Sequence, residues 1–460
     1  MTKGKIWVLA LLIATTSVAA QEPPTSYDRA IAAGYKALTL CSGLFNAGRE
    51  QVQMEATELK GIYPEYDALV PTLAASVNVG SKIVTVPFDD ALPPRIAAWR
   101  PNLGCAQLPI GANTDALAAL PRFDAAAPAL DQEPWPLGEK DASGSPIGDR
   151  KRFGKSIEAA FDGSSFGEGS QTTALIVVQR GRIVAEKYRQ GFGPHVSQRT
   201  WSVAKSIAGT VIGVAAAEGL IEPAQPAPVP QWQTPGDPRA AITFDQLLRM
   251  ASGLHSSTAG NRTDALYFGG TAISEETVAW TLEAKPGARF RYANNDIVLA
   301  MLALRATAGD KNDNALAFPF TALLWKIGMT RTFPETDWKG NFVMSSQVWT
   351  TARDLARFGL LYQQDGVFLG ERLLPQGWTE YVATPSGPQP DGEFGYGATF
   401  WLMNRSPGVP ADTYAAFGNR GQYVVIVPSR EIVIVRRGED PAGKRFNIAK
   451  FTAEVLAALE

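Results

Sequence analysis

Histidine and cysteine are scarce in this chain, with two of each in 460 residues. Neither His195 nor His255 stands at metal-ligand spacing from a second ligand, so no metal site is expected. A Ser-His-Asp triad through either has no motif behind it. Positive charge is not massed anywhere: 43 Lys and Arg face 45 Asp and Glu, and no basic run or basic-aromatic stripe occurs, so nothing points to nucleic acid. Past the first twenty residues no apolar run is long enough to cross a bilayer, and no integral membrane anchor is expected. No internal repeat is visible. Phosphate-loop chemistry is also missing: Gly154-Lys155-Ser156 is suggestive, but the glycine that such a loop requires is Asp149. No cofactor is implied.

The hydrophobic fraction of 45% is that of a globular protein with a sizeable core. Lys3 and Lys5 precede an apolar run over residues 6–14, and small residues lead to Val18-Ala19-Ala20. That pattern is a secretory signal peptide over residues 1–20, so a periplasmic or secreted protein is expected. An oxidising compartment lets Cys41 and Cys105 form a disulfide, the alternative being two separate buried thiols.

The stretch that organises the chain is Trp201-Ser202-Val203-Ala204-Lys205-Ser206. Ser202 and Lys205 are the only Ser-x-x-Lys pair. Residues three apart share a helix face, so the amine can lie beside the hydroxyl. A serine needs a neighbouring base to become a nucleophile. A lysine becomes one when burial lowers its pKa. Ile207, Ala208, Val211, Ile212, Val214 and Ala215 make the following helix apolar on most faces, as burial would require. The bland alternative is a helix cap beside a solvated lysine.

Elsewhere the pattern predicts helices over residues 27–40, 52–59, 151–161, 244–250, 275–282, 296–308, 351–363 and 445–459, and strands over 81–86, 173–178, 182–188, 396–402, 414–417, 423–427 and 432–435. Six prolines make 222–238 an extended loop. Strands on both sides of a helical stretch predict one antiparallel sheet built from both ends of a domain, with helices on its faces and an all-helical lobe beside it. The expected division is an N-terminal extension over 21–120, a linker over 121–150 and a main domain over 151–460, its helical lobe spanning about 202–390. Gly163-Ser164-Ser165-Phe166-Gly167 fits Gly-x-Ser-x-Gly, but a helix precedes it where a strand is needed, so it reads as a loop. Ser76-x-Asn78 precedes Ser202, the wrong order for a second motif.

Two further stretches can complete a site. Tyr292-Ala293-Asn294 is the only Tyr-x-Asn. Its phenol can pass protons if a nearby ammonium holds the phenolate, and Asn294 can hold Lys205 and a substrate amide, or cap the helix that follows. Gly418-Asn419-Arg420-Gly421-Gln422 joins two late strands, where a substrate can approach the backbone closely.

These motifs in this order resemble the serine β-lactamase and penicillin-binding-protein superfamily. Tyr-x-Asn is similar to its class C-like branch. Thr243 to Leu254, Pro286 to Asn294 and Thr351 to Gly366 share the likeness, which runs from about residue 150 to 460. Within that superfamily the chain most resembles the 6-aminohexanoate-dimer hydrolase-like proteins, and Cys41-Ser42-Gly43 and Leu103-Gly104-Cys105 are similar to the N-terminal extension of some of them. The resemblance implies a β-lactamase-like α/β (α+β) fold and an acyl-enzyme on Ser202. It implies that Lys205 and Tyr292 share the serine's proton, that Asn294 orients Lys205 and substrate, and that the N–H groups of Ser202 and Gln422 form an oxyanion hole. Where relatives place Lys-Thr-Gly, or a variant beginning with His or Trp, this chain has Asn419-Arg420-Gly421, so only Arg420 can meet a β-lactam carboxylate. The expected function is an exported serine hydrolase of small amides or esters. A D-alanyl-D-alanine carboxypeptidase or β-lactamase is one alternative, and a non-catalytic ligand-binding relative is another. Oligomeric state is not legible.

Overall fold

The computed structural model describes residues 23–255, 263–309 and 314–460. The expected leader, residues 1–20, lies outside the described residues.

The chain opens with α1 (Ser26–Phe45), where the Thr25 hydroxyl and the Asp28 carboxylate close a capping box. After α2 (Gln51–Thr57) come β1 (Ser76–Asn78), β2 (Ile83–Val86), β3 (Arg95–Arg100) and β4 (Gly104–Gln107), an antiparallel meander in that order. Helix α1 lies across β2, β3 and β4, and its Cys41 is disulfide-bonded to Cys105 of β4. This unit is anchored on the rest of the molecule. Glu335, far along the chain, accepts hydrogen bonds from Ser42 Oγ (2.6 Å), Asn46 Nδ2 (2.8 Å) and the N–H of Cys105 (3.1 Å). Burial pushes that carboxyl up to about 7.

Residues 121–149 form neither helix nor regular strand, but they are a strap tied to the surface. Trp135 is buried, and Arg357 donates to the carbonyls of Pro136 (2.7 Å) and Gly138 (2.6 Å).

The body begins with α3 (Arg150–Ala159), β5 (Thr172–Gln179) and β6 (Arg182–Tyr188). Short β7 (Gln198–Arg199) leads to α4 (Val203–Ala217). The helical lobe contains α5 (Phe244–Leu248), α6 (Asp264–Tyr267), α7 (Ile273–Glu276), α8 (Asn294–Ala308) and α9 (Asn314–Phe318). β8 (Phe333–Pro334) and β9 (Val348–Thr350) join β7 in a small sheet. Then come α10 (Ala352–Gln363), the hairpin β10 (Val367–Phe368) and β11 (Glu371–Arg372), and α11 (Trp378–Ala383). β12 (Gly395–Tyr396), β13 (Trp401–Leu402), β14 (Tyr414–Gly418), β15 (Gln422–Val427), β16 (Ile432–Gly438) and α12 (Ile448–Leu456) complete the chain.

The large sheet is antiparallel throughout, in the order β12-β13-β14-β15-β16-β5-β6. Strands from both ends of the body therefore meet at β16–β5. Both faces are covered over β5 and β15, which are buried along their whole length and carry apolar runs without alternation. Leu175, Val177, Val425 and Ile434 pack under Phe153, Phe446 and Phe451 beside α3 and α12. Ile176, Val178, Val424 and Val433 face α4 and α10. Gly359 lets α10 sit on the sheet: a Cβ there would lie 2.3 Å from Val433 Cγ1.

Three expected elements differ. The helix placed over 275–282 starts at Ile273 and tightens into a 3-10 turn over Thr277–Ala279, with the Thr277 hydroxyl bonded to the Ile273 carbonyl. The strand placed over 396–402 is split, because Thr399 turns the chain at φ +64° and its carbonyl accepts from Ser206 Oγ at 2.6 Å. The closing helix is shorter than 445–459, since Asn447 caps it by accepting from the N–H of Lys450.

The disulfide closes a span of 64 residues. Reducing it should destabilise the protein by about 2–4 kcal/mol in denaturant titration. An unchanged midpoint under reductant would show that the non-covalent anchorage, Glu335 included, holds the segment without the disulfide.

Candidate active site

Trp201 sets the geometry of the serine. Its backbone lies in the left-handed region, at φ +51°, which is strained for a bulky residue. The ring is held in place: the Arg199 guanidinium stacks on it at 3.9 Å, and Tyr63 lies at 6.3 Å. This turn delivers Ser202 to the position just before the first residue of α4. Ser202 makes no side-chain cap bond, so the capping alternative fails and its hydroxyl is left to the amine.

Lys205, one turn on, is buried. Its Nζ lies 3.0 Å from Ser202 Oγ, 2.5 Å from Asn294 Oδ1 and 2.8 Å from the Ser345 carbonyl. An amide oxygen and a carbonyl can only accept, so they engage two N–H groups. The third position on nitrogen faces Ser202, the one partner that can also donate. Burial pushes the amine down to about 7, and the nearby Asp296 carboxylate partly opposes the shift. A neutral amine therefore exists near neutral pH with its lone pair directed at the serine.

Asn294 does not cap a helix. It is the first residue of α8, behind Ala293 at the cap position, and its oxygen is turned to Lys205. Asp296 was not foreseen. Burial pushes its carboxyl up to about 7, while Ser252 Oγ donates to it at 2.8 Å. An acid beginning an otherwise apolar helix was the available signal. The Ser345 carbonyl carried none, because a backbone oxygen has no residue type.

Tyr292 lines the same cavity as Ser202, and its ring packs on Trp401 (5.4 Å) and Tyr396 (6.0 Å). Burial raises its phenol well above the ordinary value, and the nearby Ser202 hydroxyl only partly offsets this. Lys205 Nζ sits over the ring, 5.0 Å from its centroid. The expected phenolate is therefore not the stable form. Tyr292 is a neutral phenol that can donate.

The third stretch is divided. Asn419 lines the cavity in front of Ser202. Arg420 does not reach it: at φ +56° its side chain turns away and ion-pairs with Glu58 at 3.0 Å. Gly421 lies over the buried Arg436–Asp440 pair. The Gln422 amide is spent on the Gly438 carbonyl (2.5 Å) and Arg437 Nε (2.7 Å). Gln422 opens β15, one strand further from α4 than β14. The strand residue lying against the Ser202 N–H is Gly418. A Cβ there would sit 3.2 Å from Ser202 N and 2.3 Å from the Thr200 carbonyl, so only glycine allows this approach. The main chain nearest the Ser202 N–H is thus the end of β14 at Gly418, not Gln422.

The cavity measures about 700 Å³. Tyr292, Trp401, Phe394 and Phe417 give it an aromatic lining, and Ile62, Tyr63, Asp391, Glu393 and Arg445 line it too. The two histidines take no part: His255 pairs with Glu283, and neither lines the cavity. Among the described residues no group of three or more His, Cys, Asp or Glu is placed to hold a metal. Ser164 and Ser165 sit in a turn around Asp162.

A serine hydroxyl on a buried amine, at the junction of an antiparallel sheet and a helical lobe, is the arrangement of a serine hydrolase. The chain belongs to the Beta-lactamase family, whose model matches residues 157–455. It is 30% identical over 302 residues to the 6-aminohexanoate-dimer hydrolase of Paenarthrobacter ureafaciens, covering 60% of this chain and 74% of that protein. A Bacillus anthracis structure provisionally named a 6-aminohexanoate-dimer hydrolase superposes with a TM-score of 0.53 at 21% identity, over 74% of this chain and 87% of that one. A class C β-lactamase does so with a TM-score of 0.51 at 14% identity, over 67% and 96%. At these identities the two structures speak to the fold.

Gly418→Ala should cut kcat/KM by roughly ten- to a hundredfold by forcing β14 off the serine turn. Ester kinetics on protein with a wild-type circular dichroism spectrum check this; unchanged kinetics would remove Gly418 from the site.

Proposed function

We propose that the protein is an exported hydrolase that cleaves small linear amides or esters through an acyl-enzyme on Ser202. The observation that carries this reading is the 3.0 Å contact between Ser202 Oγ and an amine whose other partners only accept. Neutral Lys205 takes the hydroxyl proton as Oγ attacks the substrate carbonyl. The N–H of Ser202 and the main chain at Gly418 face the oxygen that gains charge. The Tyr292 phenol relays a proton to the departing amine or alcohol, and Asn294 holds Lys205 and presents its amide to the substrate. Water then enters, gives its proton back through the same groups, and releases the acid.

Linear substrates are favoured over β-lactams because Arg420, the cation of the third motif, is engaged by Glu58. The dimer hydrolase among the relatives is named for a linear amide. Export is supported by the basic-apolar start of the sequence and by the disulfide. No helix among the described residues is long and apolar enough to cross a membrane. Residues 21–120 are taken as an extension, 121–150 as a linking strap and 151–460 as the hydrolase domain.

A fluorophosphonate probe should label wild type and not Ser202→Ala, and Ser202→Ala, Lys205→Ala and Tyr292→Phe should each lose about 10²–10⁴ in kcat on a p-nitrophenyl ester. Equal labelling of wild type and Ser202→Ala would refute the nucleophile. A chromogenic β-lactam turned over faster than the ester would favour the β-lactamase alternative.

The pH profile follows from Lys205. The amine is pushed to about 7, so below that pH it holds its proton and cannot accept the serine's. kcat/KM should rise with pH and level off above about 7, falling about tenfold per unit on the acid side. A flat profile from pH 5 to 8 would rule the amine out as base.

A further inference from the structure

The end of β14 is gripped from the far end of the sequence. Glu58, the residue that ends α2, is buried. Its Oε2 lies 3.0 Å from Arg420 Nη1, and its Oε1 lies 3.5 Å from Arg49 Nη1. Arg49 in turn meets Glu439 at 2.8 Å, and Glu439 meets Arg189. Burial alone would raise the Glu58 carboxyl, but Arg420, Arg49 and Arg199 outweigh it and hold the group below its ordinary value. The carboxylate is therefore charged, inside the protein, against a charged guanidinium. Removing one partner of such a pair strands the other.

Arg420 is fastened at its other nitrogens too. Nε donates to the Asp440 carbonyl at 3.3 Å and Nη2 to the Glu439 carbonyl at 3.2 Å. Its backbone, at φ +56°, occupies a conformation that persists only where the surroundings over-determine it. The residue just before it, Asn419, lines the cavity, and the one before that is Gly418, against Ser202 N.

We propose that Glu58 is a positioning residue for hydrolysis: it clamps Arg420, and through Arg420 it sets the Gly418–Asn419 backbone against the nucleophile. The N-terminal segment is then a working part of the active site. This rests on the reading of Ser202 as nucleophile given above. The same segment supplies Ile62 and Tyr63 to the cavity wall, four and five residues beyond the clamp.

The test uses the full chain with two variants, Glu58→Gln and the double variant Glu58→Gln/Arg420→Gln. The double variant leaves neither member of the pair charged, so it covers the case in which the single variant does not fold. Two readouts are taken on cooperatively melting protein: steady-state hydrolysis of a p-nitrophenyl ester, and hydrogen exchange of the peptide spanning 417–423. We expect kcat to fall roughly ten- to a hundredfold, with KM changed by less than about threefold and exchange in the turn about tenfold faster or more. A merely structural role would lower the melting temperature and leave both readouts at wild-type values. Wild-type exchange in the turn, or kcat within about twofold of wild type, would overturn the proposal. If Ser202→Ala hydrolyses the ester as fast as wild type, the nucleophile assignment fails instead, and the exchange readout still decides whether Glu58 holds the turn.

Discussion

The structure depends on one amine held out of water. An ammonium in bulk solvent is no base near pH 7. Lys205 is made into one by α4, which is apolar on nearly every face and packed between the sheet and α8. Moving its pKa from 10.5 to about 7 costs on the order of 5 kcal/mol, since each unit is about 1.4 kcal/mol. The protein offsets part of that cost with the Asn294 oxygen, the Ser345 carbonyl and the Asp296 charge. The offset is partial by necessity, because a fully compensated ammonium would keep its proton. Asp296 obeys the same logic from the other side: burial raises it, and the Ser252 hydrogen bonds, Arg289 and Lys205 pull it part of the way back.

That amine also assigns the phenol its part. A cation bonded to the Tyr292 oxygen would favour phenolate. Here Lys205 lies against the ring face, and its N–H groups are directed elsewhere. Tyr292 packs on the rings of Tyr396 and Trp401, which bring no positive charge to it. In the proposed reaction base and acid are thus separated by environment: burial drives the amine toward its neutral form and favours the neutral form of the phenol. The same desolvation produces both outcomes.

The parts legible in the sequence were those written in local pattern. Ser202 and Lys205 could be paired because three residues along a helix is a fixed distance, and the apolar run behind them announced burial. The antiparallel sheet followed from strand-like runs on both sides of a helical stretch. Cys41 and Cys105 met as expected. What stayed hidden depends on non-local geometry. The turn at Thr399 splits a strand through a bond to Ser206, 193 residues earlier. Arg420 read as a ligand for substrate because its partner, Glu58, lies hundreds of residues away. Gln422 read as the oxyanion donor by position in a motif, but that position was fixed by the hairpin, whose Gly418↔Gln422 register leaves Gly418 on the strand nearer α4.

The matched family segment begins at residue 157, yet Ile62 and Tyr63 line the cavity. The fold that carries the nucleophile is therefore smaller than the pocket it opens into. A segment that merely decorated the surface would not need a disulfide, a buried glutamate anchor at Glu335 and a charge network reaching Glu439. The disulfide ties α1 to β4 within the segment, while Ser42 on Glu335 and Arg49 on Glu439 fasten it to the body at two different points. Conserving the chemistry in one part of the chain while another part shapes the space in front of it lets the substrate range change without disturbing the amine on which the reaction depends.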